Sequence, residues 1–258
     1  MFRIYKKNKL KLKYTVMKRF FFIIWIIINA VACEMESRLD SIDVISGINA
    51  YVGDKIKLNV AHTPSDAIVP AYHFKTNNRF IASVNDQGTV VCNHVGTCTI
   101  MIATADTRFS TACIVTVLPN NQLFSEPTLD FNISKTVVKL RETNRTIVCE
   151  TATMLIYQNI EEPLQQVMYQ FDENQKLRTT AIKLSAGASS KLTDFMTERY
   201  EQYPSAERND LQVWRGNDME VVTKMVANSC FVVYNPFSGK STCAVADHSI
   251  ETFRNSGK

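Results

Sequence analysis

Between residues 41 and 118 the side chains alternate with a period of two, and no other feature restricts the fold so strongly. Ile56, Leu58 and Val60 point one way while Lys55, Lys57 and Asn59 point the other. A strand with one buried face has that pattern, because successive side chains leave a pleated backbone on opposite sides. The alternation returns in Cys98, Ile100 and Ile102 and again in Cys113, Val115 and Val117, with threonines between. Thr63-Pro64-Ser65-Asp66 and Asn85-Asp86-Gln87-Gly88 supply turn chemistry between the runs. Short strands punctuated in this way predict an all-β sandwich.

Five separated motifs in this stretch carry a family resemblance. They are Val52-Gly53-Asp54-Lys55-Ile56-Lys57-Leu58, Thr63-Pro64-Ser65-Asp66-Ala67, Ile81-Ala82-Ser83-Val84, Gly88-Thr89-Val90 and Gly96-Thr97-Cys98-Thr99-Ile100. Together they resemble a bacterial Ig-like group 2 (Big2) domain, with Phe74 where the family commonly has Trp. The resemblance implies an extracellular module of the kind found in adhesins and as a spacer, and it implies no catalytic residue. Cys92, Cys98 and Cys113 stand at apolar positions, where a thiol acts as a small buried hydrophobe. A Cys98–Cys113 bridge is the alternative if the two lie on neighbouring strands. A zinc site on Cys92, His94 and Cys98 lacks a fourth ligand.

After Leu118-Pro119-Asn120-Asn121 the alternation ends, and residues 123–258 are expected to form a small α+β domain with helices on one face of an antiparallel sheet. Ser134 is placed to cap a short helix through residue 140, and residues 146–158 look strand-like. Residues 166–171 and 177–184 flank the turn Asp172-Glu173-Asn174-Gln175 as a hairpin. Leu192, Phe195, Met196, Tyr200 and Tyr203 share one face of a predicted helix that begins near Ser189 and stops at Pro204. A last hairpin is expected from residues 230–234 to 243–246, with Cys230 and Cys243 near one another and a Cys230–Cys243 bridge as a candidate.

The N-terminus has a different purpose. Thirteen mostly apolar residues, 20–32, follow Lys18-Arg19 and precede Cys33. This has the parts of a signal peptide, and the run is shorter than the roughly 20 apolar residues that a spanning helix needs. Translation from Met1 or from Met17 gives the same parts. Ala30-Val31-Ala32-Cys33 resembles the lipobox of bacterial lipoproteins, which implies a signal peptide over residues 1–32, a lipid on Cys33 and a tether over residues 33–40. The A-x-A pattern of ordinary signal peptidase fits the same residues and would release a soluble protein. The seven cysteines favour the lipid, since its use of Cys33 leaves six. Glu34 and Glu36 resemble a weak surface-export signal, or are simply part of a polar tether.

Charge and motifs narrow the function. The net charge of +4 comes from eight Lys and Arg residues before Cys33, and removing them leaves 21 basic against 25 acidic residues. Nucleic-acid binding, which needs cations clustered on the folded part, loses its support. Gly239-Lys240-Ser241-Thr242 lacks the upstream glycine of a phosphate loop, Tyr234 standing in its place. His62, His73, His94 and His248 are scattered, and Glu161-Glu162 and Asp172-Glu173 sit beside a proline or in a turn. The sequons at Asn132 and Asn144 would matter only in a eukaryotic secretory route. No catalytic residue, cofactor or metal site is expected. The sequence points to a non-catalytic lipoprotein of the cell envelope, outer membrane included, that displays an Ig-like module to an unknown protein or glycan ligand. The alternative is a periplasm-facing accessory protein in which the module is a spacer.

Overall fold

The computed structural model describes residues 37–158, 161–204, 210–237, 239 and 242–256. They form two compact units, one of the described residues up to Ile42 with Ala61–Pro70, the other of Asp43–Val60 with the described residues from Ala71 onward. In the first, β1 (Ser41–Asp43) pairs with β4 (Ala61–Thr63). The Asp40 amide donates to the Thr63 carbonyl at 2.8 Å, and the Ser37 hydroxyl to Asp66 at 2.6 Å.

The second unit opens with an Ig-like sandwich. One sheet has the order β2 (Gly47–Tyr51), β9 (Ser110–Leu118), β8 (Gly96–Thr104), β5 (Tyr72–Thr76), and the other β3 (Lys55–Lys57), β7 (Thr89–Cys92), β6 (Ala82–Val84). The alternation works as expected: Cys98, Ile100 and Ile102 of β8 and Cys113, Val115 and Val117 of β9 are all buried in one core with Leu58 and Val90. Ile56 and Val60 pack against that core although β3 itself is only three residues long. Gly88 closes the turn at φ 74°, and a Cβ there would stand 2.7 Å from the Phe74 ring. Both the left-handed backbone and the ring beneath it require glycine.

Residues 123–256 build an eight-stranded antiparallel sheet in the order β10 (Thr146–Glu150), β11 (Met154–Gln158), β12 (Leu164–Phe171), β13 (Leu177–Ser185), β17 (Ser229–Pro236), β16 (Met219–Val226), β15 (Leu211–Arg215), β14 (Glu201–Tyr203). Both faces are apolar. Leu155, Tyr157, Val167, Tyr169, Ile182, Trp214 and Val232 pack on one side with α1 (Lys135–Arg141) and α2 (Ser189–Thr197). Ile156, Met168, Ala181, Val222 and Val233 pack on the other with α3 (Cys243–Asn255). The α+β class holds, but helices cover both faces rather than one.

Local expectations fared unevenly. Ser134 caps α1, accepting from the Val137 amide at 3.4 Å, and the Asp172-Glu173-Asn174-Gln175 turn joins β12 to β13. Residues 146–158 are two strands folded against each other, not one. The helix from Ser189 ends at Thr197; Tyr200 still reaches the core, whereas Tyr203 is exposed on β14. Residues 243–246 open α3 instead of returning as a strand. Ala246, Ser249, Ile250 and Phe253 are its buried residues, a helical spacing that the four-residue apolar run did not reveal. Glu220 of β16 holds the start of α3, accepting from the Thr242 amide at 2.7 Å and hydroxyl at 2.8 Å, where negative charge complements the helix dipole.

Candidate functional site

The segment after the sandwich, residues 122–128, lies along the sheet's first face beside the end of α1, residues 161–164 and the end of α2, and together they enclose an open cleft of about 1000 Å³. That volume is at the upper end of ligand-binding clefts. Eleven of its fifteen described lining residues carry hydrogen-bonding side chains.

One wall is centred on Glu142, which is 7% exposed. Its Oε1 accepts from the Thr128 amide at 3.0 Å, from the Thr128 hydroxyl at 2.9 Å and from the Tyr169 hydroxyl, while Oε2 receives the Arg145 guanidinium. A second Arg145 nitrogen donates to the Ser125 carbonyl at 3.2 Å. Burial pushes the carboxyl's pKa up, but the hydrogen bonds from Tyr169 and Thr128 and the charge of Arg145 outweigh it, so it stays below the ordinary value. Tyr169 is driven far above its usual value, first by burial and then by the Glu142 charge. Arg141 pairs with Asp130 at the rim.

The other wall is made by Arg199 and Glu126. The Arg199 side chain is 9% exposed, lies over the Phe195 ring at 3.7 Å, and donates through Nη1 to the Phe195 carbonyl at 3.1 Å. Its Nε is buried and has no hydrogen-bond partner among the described residues, Glu126 Oε1 standing 3.7 Å away. That oxygen accepts from the Tyr200 hydroxyl at 3.4 Å. Burial raises the Glu126 pKa, with the Arg199 charge and the Tyr200 hydrogen bond opposing. Next to it Glu198 ties neighbouring segments together: its carboxylate accepts from the Asn121 amide at 3.0 Å and side-chain nitrogen at 2.7 Å, and its carbonyl from the Val95 amide at 2.8 Å.

None of these residues was singled out as a site from the sequence. Glu126, Glu142, Arg145 and Arg199 come from three stretches of chain, and each reads locally as a solvated charge. A weak signal existed in the pair Glu198-Arg199 immediately after a helix, where charge is ordinarily exposed.

The residues that the sequence did single out are placed differently. Cys33, Glu34 and Glu36 lie outside the described residues. The Cys98–Cys113 bridge is not formed and both are thiols, their pKa raised by burial. Cys98 faces Val115 and Cys113 faces Ile100, so the cysteines are diagonal neighbours. Diagonal pairs are farther apart than the roughly 4 Å between Cβ atoms that a disulfide needs. Cys230–Cys243 is not formed either: Cys230 is a thiol in the core of the sheet's first face, while Cys243 packs on the second. His94 donates from Nδ1 to the Phe80 carbonyl at 2.8 Å and stacks on the Phe80 ring at 4.1 Å, a packing role. Among the described residues no three His, Cys, Asp or Glu side chains gather where a metal could sit, and no helix is long and apolar enough to cross a membrane.

No protein-family model matches this chain, and no curated protein does. Among solved structures it is similar to the S-layer protein rSbsC(31-844), with 13% identity, 77% of this chain, 21% of that chain and a TM-score of 0.28. It is also similar to the EHEC O157:H7 intimin mutant, with 9% identity, 76% of this chain, 97% of that chain and a TM-score of 0.24. A third likeness is to the Bacteroides ovatus mixed-linkage glucan utilization locus SGBP-B in complex with mixed-linkage heptasaccharide, with 11% identity, 78% of this chain, 41% of that chain and a TM-score of 0.30. This chain therefore spans about a fifth of the length of the first. Likenesses at these scores carry no weight about function.

Proposed function

We propose that this chain is a non-catalytic binding protein of the cell envelope, tethered through a lipid on Cys33, in which an Ig-like module displays a second lobe carrying a ligand cleft. The observation that carries this reading is the state of the charged groups in the cleft. Glu142 is saturated by four donors, and Arg145 is held by Glu142 and Ser125. Such groups are fixed in place and not available as a nucleophile or base, which suits recognition rather than turnover. No His or Cys is among the described lining residues. The tether rests on Ala30-Val31-Ala32-Cys33 at the end of the apolar run. Each buried methylene contributes about 0.8 kcal/mol, so two or three acyl chains would hold the protein on a membrane.

The test is detergent-phase partitioning together with protease treatment of intact cells. Wild type should enter the detergent phase and be cut on whole cells, and Cys33→Ser should stay in the aqueous phase. Partitioning that survives Cys33→Ser refutes the lipid. Protection of wild type in intact cells, with cleavage once the outer membrane is opened, supports the periplasm-facing reading instead.

A further inference from the structure

We infer that the cleft takes an uncharged oligosaccharide, one of whose hydroxyls bridges Arg199 Nε and Glu126 Oε1. This rests on the binding-protein reading above and names the chemistry of the ligand.

The two atoms stand 3.7 Å apart, too far for a hydrogen bond to each other. One is a buried N–H with no acceptor among the described residues, and the other is a carboxylate oxygen whose hydrogen bond in the structure is a long one of 3.4 Å from Tyr200. A buried donor left without an acceptor is costly, so this wall gains most from a group that accepts and donates at once. A hydroxyl does both; it receives the Nε–H and gives its own proton to Oε1. A carboxylate or phosphate could accept from Nε but would face Glu126 with like charge, and an ammonium could only donate.

The remaining charges point the same way. Arg141 is paired with Asp130, Arg145 with Glu142, and Arg199 with Glu126 and Glu198. Glu162 adds further negative charge to the lining. The cleft thus has no surplus of positive charge with which to attract an anion. Paired Arg and Glu side chains instead offer fixed donors and acceptors side by side, which matches the neighbouring hydroxyls of a sugar. Leu123 and Phe124, both partly exposed, supply the apolar surface against which sugar C–H groups pack, and Phe124 is itself held against Phe195 at 4.5 Å. A peptide would need either an open strand edge or apolar pockets for alternate side chains, and only four of the fifteen described lining residues are apolar.

The test is calorimetric titration of the purified full chain in detergent with uncharged hexasaccharides built from glucose, mannose, xylose or N-acetylglucosamine, and with a heparin hexasaccharide as the anionic arm. At least one uncharged sugar should bind saturably and the anionic one should not. Glu126→Ala should weaken that binding about tenfold or more, Glu126→Gln, which keeps an acceptor oxygen, should weaken it less, and Arg199→Lys should also weaken it. Because burial disfavours the Glu126 carboxylate, both of its neutral variants should unfold at or above the wild-type temperature at neutral pH, which separates lost binding from lost folding. Tyr51→Ala, on the sandwich, should bind as wild type does. Absence of binding by every uncharged sugar, binding of the heparin fragment alone, or sugar binding that Glu126→Ala leaves unchanged would each overturn the inference. Sugar binding with a failed partitioning experiment would instead remove the tether and leave the cleft's ligand standing.

Discussion

The sandwich and the eight-stranded lobe bury side chains by the same alternation, yet they treat charged groups in opposite ways. Inside the sandwich the core is aliphatic and thiol, as at Ile100, Ile102, Val115, Cys98 and Cys113. It buries hydroxyls, Thr104 at 0% exposure and the Tyr72 hydroxyl without a partner among the described residues, but its charge works at turns, where Asp106 accepts from Thr104 and Arg108, both at 2.6 Å. The eight-stranded lobe takes charge and hydroxyl inward, with Glu142 at 7% and Glu220 at 0% exposure and the Tyr157 and Tyr234 hydroxyls buried without partners among the described residues. Buried ion pairs add little to stability relative to apolar packing. Their confinement to one lobe means that the two lobes hold their folds by different balances of packing and electrostatics.

The largest effect that would break this contrast is expected at Glu142. Its removal in Glu142→Ala leaves the Arg145 charge and the Tyr169 hydroxyl buried and unmatched, a loss of about 3–5 kcal/mol in urea unfolding. The pH dependence has a definite sign. The folded carboxyl lies below its ordinary value of 4.5, so its stabilisation is fully present above that value and is lost as pH falls through the folded value. Glu142→Gln should flatten the acid limb of a stability–pH curve. Glu126 works oppositely: its raised value gives stability present below the ordinary carboxylate value and lost as pH rises through the folded one. An unchanged acid limb in Glu142→Gln would show that the carboxylate network contributes nothing.

A smaller effect belongs to the sandwich. Gly88→Ala places a Cβ 2.7 Å from the Phe74 ring at a backbone φ of 74° and should cost about 1–3 kcal/mol. Sugar binding by the folded variant should equal wild type, since the cleft lies in the other lobe; reduced affinity would show that the two are coupled. The smallest effect is expected at Tyr234, whose hydroxyl has no partner among the described residues. Tyr234→Phe removes an unmatched polar group and should leave the unfolding temperature unchanged or raise it slightly. Tyr169→Phe, which deletes a bond to Glu142, should lower stability by about 1.5–3 kcal/mol. If the two variants cost the same, the polar interior is not organised as described.

Reading a fold from residues succeeded where a pattern was long and local. Nine residues of β8 and nine of β9 each carry enough alternation to reveal strand and facing together. The Asp172-Glu173-Asn174-Gln175 turn and the Ser134 cap are signals contained in a few neighbouring residues. It failed where the run was short, since Cys243-Ala244-Val245-Ala246 fits a strand or the first turn of a helix equally well. The cleft was invisible for another reason: Glu126, Glu142 and Arg199 differ from surface charges only through what the fold brings beside them.

Sequence alone thus determined the period-two sandwich and its core, together with the expectation of a lipid at Cys33, because each depends on residues adjacent in the chain. Tertiary structure decided which faces of the large sheet are covered, that Cys98 faces Val115 and not Cys113, and that a donor and an acceptor 3.7 Å apart meet in a cleft. Those outcomes depend on register and on contacts between distant segments, and a one-residue shift in pairing, which leaves composition and periodicity untouched, would change every one of them.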